Sequence, residues 1–254
     1  CIRDSIVDLR NNGGGSLAKV VEIAGLFIKD GPVVQVRDAN GNVQILRDTD
    51  RGLQWDKPLI ILINELSASA SEILAAAMQD YGRAIILGSK QSYGKGTVQE
   101  LIDLNREVRN SSLGDLGAIK LTRQKFYRIN GGSTQLRGVN SDIVIPDRYQ
   151  YIKVGERELE NPMPWDEIGQ ASYNHWTDNK KFPQAIENSK KRIQSNKLFK
   201  LVDENAYNPE SAKEILAKAG YKDVDGDGFV EKPDGSKLEL NFVIYTSREE
   251  LKVY

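Results

Sequence analysis

The chain has 254 residues, 39% hydrophobic and 28% charged, enough apolar material for one large folded domain or one domain with additions. Lys and Arg number 35 against 36 Asp and Glu, for a net charge of −1, which leaves no electrostatic footprint for a nucleic-acid partner. A single cysteine, Cys1, and a single histidine, His175, exclude internal disulfides and a cysteine-rich zinc site, and place no histidine near a nucleophile-like motif.

In chain order the signals alternate between strand and helix. "DSIVDLR" reads as a strand, "NNGGGS" as a turn and "LAKVVEIAGLFI" (17–28) as a helix. "PVVQVRDANGNVQIL" reads as a hairpin turning at Asn40-Gly41. "PLIILI" (58–63), the helix "SEILAAAMQDYG" (71–82) and the strand "RAIILG" (83–88) follow. Then come strands in "KGTVQELIDL" (95–104) and in 117–147, with a glycine turn at Gly131 and Gly132. The apolar runs are far shorter than the ~20 residues of a membrane-spanning helix. This order predicts an α/β core with a mixed or parallel sheet over 1–150. A polar, lysine-rich helical extension is expected over 151–205, with Ile186, Ile193 and Phe199 at helical spacing, and a short α/β segment over 206–254. The sequence starts at Cys1 without a leader-like segment and is expected to be a fragment.

"LSASASE" alternates serine with alanine before a helix. Ser69 stands three residues ahead of Glu72, the spacing of a capping box, so a structural role suffices for it locally. "YGKG" then sets Lys95 between glycines just after an apolar strand, where a charge is normally avoided. Joined, the two clusters suit serine nucleophile chemistry. Burial can depress a lysine pKa by up to ~3–5 units, which makes its neutral amine a base for a serine hydroxyl. On a strand Lys95, Thr97 and Gln99 share a face, so Gln99 is placed to hold the amine. The amide of Ala70 at a helix start, and one from Gly13–Gly15, are candidate oxyanion donors.

Other motifs weigh less. "GSKQSYGKGT" has five residues between Gly88 and Gly94 where a phosphate loop needs four, and Gly96 stands at its Ser/Thr position. "SLAK" (16–19) matches S-x-x-K without the K-T-G that accompanies it in penicillin-binding enzymes. Asp223, Asp225, Asp227, Glu231 and Asp234 fit the opening of a calcium loop, with Asp in place of Glu at position twelve; a solvated turn is the alternative. No cofactor or metal is assigned.

The segments "IVDLRNNGGGSL", "INELSASASEILAAAMQDYGRAIILG", "SYGKGTVQ" and "FYRINGGSTQLRGVNSDIVIPD" resemble the carboxy-terminal processing peptidases, or tail-specific proteases. "PMPWDEI" resembles their long periplasmic bacterial branch. The resemblance implies a crotonase-like spiral core and a serine endopeptidase with a Ser/Lys dyad. Ser69 is then the nucleophile, Lys95 the base and Gln99 its supporting glutamine. Ala70 and Gly15, with Gly14 beside it, become the oxyanion donors. It also implies protein substrates recognised by their C-terminal tails, an associated PDZ domain, a possible adaptor lipoprotein and a periplasmic setting. Without a PDZ domain, the alternative is a peptide-binding module or an inactive protease fragment. Residues 206–254 resemble part of the extracellular oligopeptide-binding proteins.

Overall fold

The computed structural model describes residues 5–108, 114–204, 209–226 and 231–237. The chain divides into two compact units, 1–204 and 205–254. In the first, strands β1 (Ser5–Asp8), β4 (Leu59–Ile63), β5 (Ile85–Gly88) and β8 (Ile143–Val144) form a wholly parallel sheet in the order β1-β4-β5-β8. Strands β2 (Gly31–Asp38), β3 (Val43–Asp48), β6 (Thr97–Asp103) and β7 (Ala118–Tyr127) form an antiparallel sheet in the order β3-β2-β7-β6.

Alternation along β4 turns Leu59, Ile61 and Ile63 inward, each at most 1% exposed. They meet helix α2 (Ala70–Asp80), whose small residues Ala75, Ala76 and Ala77 are buried together with Ile73, Leu74 and Met78. Every residue from Ala70 to Met78 is buried, polar Ser71 and Glu72 included, so this helix lies inside the core. Helix α1 (Leu17–Gly25) buries Val20 and Ala24 on one side only. It ends three residues before the apolar run does: the Leu26 carbonyl accepts from the Gln54 and Trp55 amides at 3.1 and 3.0 Å, which redirects the chain. Strand β6 stops at Asp103, whose carboxylate takes the Asn105 amide and caps the short helix α3 (Leu104–Glu107).

Polar contacts tie α2 to the antiparallel sheet. Asp80 at its end pairs with Arg128, just after β7, at 2.5 Å. Tyr81, 5% exposed, donates its hydroxyl to the Pro32 carbonyl of β2 at 2.9 Å. Tyr81→Phe leaves that carbonyl without its partner and is expected to cost about 1 kcal/mol, read as a lowered midpoint in urea at unchanged slope.

Residues 152–181 run irregularly past one 3-10 turn at Glu156–Glu158, and helices resume only at α4 (Phe182–Ser195) and α5 (Lys197–Glu204). Pro162 and Pro164 lack the amide hydrogens a helix needs there. In the second unit, α6 spans Pro209–Lys218, and Glu231 bridges Lys222 and Lys237. The strand that "KLELNFVIY" (237–245) predicts in this segment lies, from 238 on, outside the described residues, as does Cys1. Among the described residues no helix is long and apolar enough to cross a membrane.

Candidate active site

The carboxyl ends of β1 and β4 lie side by side, and the loops leaving them are laced together. Asn64 accepts from the Asn11 and Leu66 amides and donates to the Asn11 side chain. Ser67, fully buried, donates to the Leu9 carbonyl at 2.8 Å and accepts from the Asn64 amide. Ser71 donates to the Asn12 carbonyl at 3.0 Å, the same carbonyl that takes the Ala68 amide. Two of the three alternating serines are therefore structural fasteners.

Ser69 differs from both. It is the N-cap of α2, at φ 57° and ψ −116°. A non-glycine residue at that φ carries strain on the order of 1–3 kcal/mol, held by the fasteners on either side. Its pairing with Glu72 has the capping-box arrangement, yet no side-chain cap hydrogen bond locks its hydroxyl. The amide of Ala70, first residue of α2, has no acceptor within the helix and sits at the positive end of the helix dipole.

The glycine-rich loop comes against this serine. Gly14 has φ 103°, and a Cβ there would lie 2.7 Å from Ser69 Cβ and 2.8 Å from the Ala70 nitrogen. Only glycine lets the two backbones come so close. The Gly14 amide is taken by the Asn12 side chain at 2.9 Å, whereas Gly15 next to it is exposed.

Lys95 is held by its backbone on every side. The amides of Gly94 and Lys95 donate to Glu72 at 2.7 and 3.0 Å, and that of Gly96 to the Gln135 side chain at 2.8 Å. The Gly94 carbonyl accepts from the Leu136 amide at 2.8 Å, that of Lys95 from the Thr134 hydroxyl at 2.7 Å, and that of Gly96 from the Phe126 amide at 2.9 Å. All six backbone groups of the tripeptide are satisfied without the lysine side chain. The Lys95 ammonium donates to Gln99 Oε1 at 3.1 Å across the β-bulge that opens β6 between Val98 and Gln99. Burial holds the Lys95 pKa below the usual lysine range. Lys120 adds to the depression, while Glu156 and Glu72 oppose it.

Glu72 joins the two clusters. It is fully buried, and its Oε2 accepts both the Ser69 amide at 2.8 Å and the Lys95 amide at 3.0 Å. One shared oxygen therefore puts those two backbone nitrogens within about 6 Å of each other. Its Oε1 takes the Ser92 hydroxyl at 2.6 Å and the Gly94 amide. Burial pushes the carboxyl up to about 7, against four hydrogen bonds that favour the charged form. From sequence Glu72 is visible only as a helix-capping residue, and nothing local marks Thr134 or Gln135.

The remaining motifs find other places. Ser16 caps α1 by accepting from Lys19, whose ammonium pairs with Glu22. Gly88 is a strand residue packed on the Ile63 carbonyl, not part of a phosphate loop. His175 packs edge-on against Tyr173. In the second unit, carboxylate oxygens of Asp223, Asp225 and Glu231 gather within 4.8 Å of one another. Asp234 instead accepts from the Ser236 amide and hydroxyl, and Asp227 lies outside the described residues.

Comparison with known proteins gives the family of the chain. The model of peptidase family S41 matches residues 2–145, and that of the C-terminal domain of tail specific protease matches residues 149–215. The chain is 51% identical over 168 residues to the tail-specific protease of Haemophilus influenzae, covering 66% of this chain and 24% of that protein. It is 39% identical over 165 residues to the carboxy-terminal-processing protease of Bartonella bacilliformis, covering 62% and 36%. A solved structure titled photosystem II D1 C-terminal processing protease aligns at 29% identity with a TM-score of 0.49, over 56% of this chain and 34% of that one. The chain thus spans about a quarter to a third of the length of these relatives. With more than half of its residues matched by the first of those models, the chain belongs to peptidase family S41.

Proposed function

We propose that the chain carries the catalytic centre of a serine endopeptidase that cuts protein substrates engaged by their C-terminal tails, with Ser69 as nucleophile and Lys95 as base. The observation that carries this reading is the single Glu72 oxygen that binds the backbone of both residues. Support comes also from the depressed Lys95 pKa and its bond to Gln99. Neutral Lys95 takes the Ser69 hydroxyl proton as the oxygen bonds to the scissile carbonyl carbon, and the carbonyl oxygen becomes an oxyanion. The amides of Ala70 and Gly15 are its donors; Gly14, its own amide occupied by Asn12, supplies the close approach. Collapse breaks the C–N bond, and the ammonium of Lys95 returns its proton to the leaving amine. Water then attacks the acyl-enzyme, giving one proton to Lys95 and so back to Ser69. Gln99 fixes the amine, as the third group of a triad orients its base.

The names of the two relatives support tail-directed substrates; a periplasmic setting and cooperation with a PDZ domain or an adaptor lipoprotein belong to the same proposal. A fluorophosphonate probe is expected to label Ser69 and no other residue. Labelling should accelerate with pH, because each unit below the Lys95 pKa leaves about tenfold less neutral amine. With that pKa depressed, the midpoint lies below the usual lysine range. An unlabelled Ser69, or a rate flat across that range, leaves a peptide-binding module as the reading instead.

A further inference from the structure

We propose that Gln135 is a positioning residue for Lys95, and that the strap Gly155–Ala171 clamps the lysine loop through it, so that the two parts of the chain matched by separate family models share one catalytic device. This inference rests on the Ser/Lys reading above. Gln135 is fully buried between the lysine loop and the strap. Its Oε1 accepts the Gly96 amide at 2.8 Å, while its Nε2 donates to the Met163 carbonyl at 3.0 Å and to the Glu156 carboxylate at 3.4 Å. Both ends of one amide are thus engaged, one toward the catalytic loop and the other toward the strap.

The strap is fastened along its length. The Glu156 amide donates to the Tyr93 carbonyl at 2.9 Å, two residues before Lys95. Arg157 pairs with the buried Glu65 at 2.9 Å. Trp165 donates to the Ser133 carbonyl, and Asp166 binds both Lys125 and Arg37. The Ile168 and Ala171 amides reach the carbonyls of Gly131 and Ile129. Gly155, at φ 121°, lies so close to Tyr93 that a Cβ there would meet its carbonyl at 2.7 Å. A segment whose one helical element is the 3-10 turn Glu156–Glu158 therefore covers the outer side of the Ser133–Leu136 turn, whose inner side holds Gly94, Lys95 and Gly96.

The physical consequence concerns the base. Burial is what keeps the Lys95 amine available as a proton acceptor, and burial depends on the loop staying where Gln135 and the strap hold it. Glu156 acts in the opposite sense, since its charge favours the ammonium form.

The test is the titration of Lys95 itself, read by pH-dependent competitive acetylation and mass spectrometry, beside a thermal melt. Gln135→Met keeps the volume and removes all three hydrogen bonds. It is expected to raise the Lys95 pKa by about one unit, leaving roughly tenfold less neutral amine at a given pH, and to move the acid limb of Ser69 labelling with it. Glu156→Gln is expected to move both downward. A merely structural role would lower the melting temperature and leave the titration in place; that result, or unchanged titration in a folded Gln135→Met protein, overturns the proposal. If Gln135→Met does not fold, Gly155→Val loosens the strap from Tyr93 and must raise the Lys95 pKa, or the proposal fails. Acetylation needs no turnover, so a chain whose Ser69 resists the probe sinks the dyad while still reporting on the clamp.

Discussion

Lys95→Met is expected to abolish peptide hydrolysis, by about four orders of magnitude or more, in a protein that melts close to the parent. Methionine fills the stem's path and is at home in the half-buried site, so the packing survives while the proton acceptor is lost. The backbone of the loop does not depend on the side chain, because its six polar groups bond to Glu72, Gln135, Leu136, Thr134 and Phe126. Ser69→Ala removes the attacking oxygen and should be equally inactive. A third variant separates chemistry from folding. At φ 57° a glycine is relaxed where serine and alanine are strained, so Ser69→Gly should be inactive yet about 1 kcal/mol more stable than Ser69→Ala. Turnover of an unstructured fluorescent protein, with melts on the same samples, reads all three. Retained turnover in Lys95→Met would exclude the mechanism.

What local chemistry dictates is legible in the sequence, and what rests on long-range contacts is not. The alternating serines before an alanine-rich helix, and a lysine between glycines after a buried strand, announce themselves by residue type, and the structure brings both against one carboxylate. Strands β2, β3, β4 and β5 follow from alternation or apolar runs bounded by turns. Which of the three serines carries an unlocked hydroxyl does not: it depends on Leu9 and Asn12, nearly sixty residues away, taking Ser67 and Ser71. Strand spacing alone puts Lys95 and Gln99 on one face of an even strand, whereas the lysine precedes β6 and a bulge intervenes. Gln135 carries no local signal at all, since its partners lie 21 to 39 residues distant. The strap defeats pattern reading for a related reason. Its amides find carbonyls in other loops, so neither a period of 3.6 nor of 2 is imposed on its side chains.

Glu72 is where stability and activity are expected to fail together. Glu72→Leu deprives the buried Gly94 amide, the partly buried Ser69 and Lys95 amides and the buried Ser92 hydroxyl of their acceptor. At about 1–3 kcal/mol for each buried group left unpaired, the loss reaches the scale of a domain's whole stability. Glu72→Gln should be milder, and the geometry says why. Its oxygen can stay at the Oε2 position and keep the Ser69 and Lys95 amides, while its nitrogen at the Oε1 position donates to Ser92 and confronts only the Gly94 amide. That predicts a cost of about 1–3 kcal/mol in urea unfolding and a partial loss of Ser69 labelling. The two proteins should also differ in pH dependence. Folding raises the Glu72 pKa from 4.5 to about 7, so the native state retains a proton that the unfolded chain releases between those values. The contribution is complete below 4.5 and is lost as pH rises through about 7, a fall of roughly 3 kcal/mol that Glu72→Gln cannot show. The stability gap between the two proteins should therefore narrow from pH 5 to pH 8. A gap that stays constant removes the buried titration, and a Gln variant as stable as the parent at every pH removes the bridge between nucleophile and base.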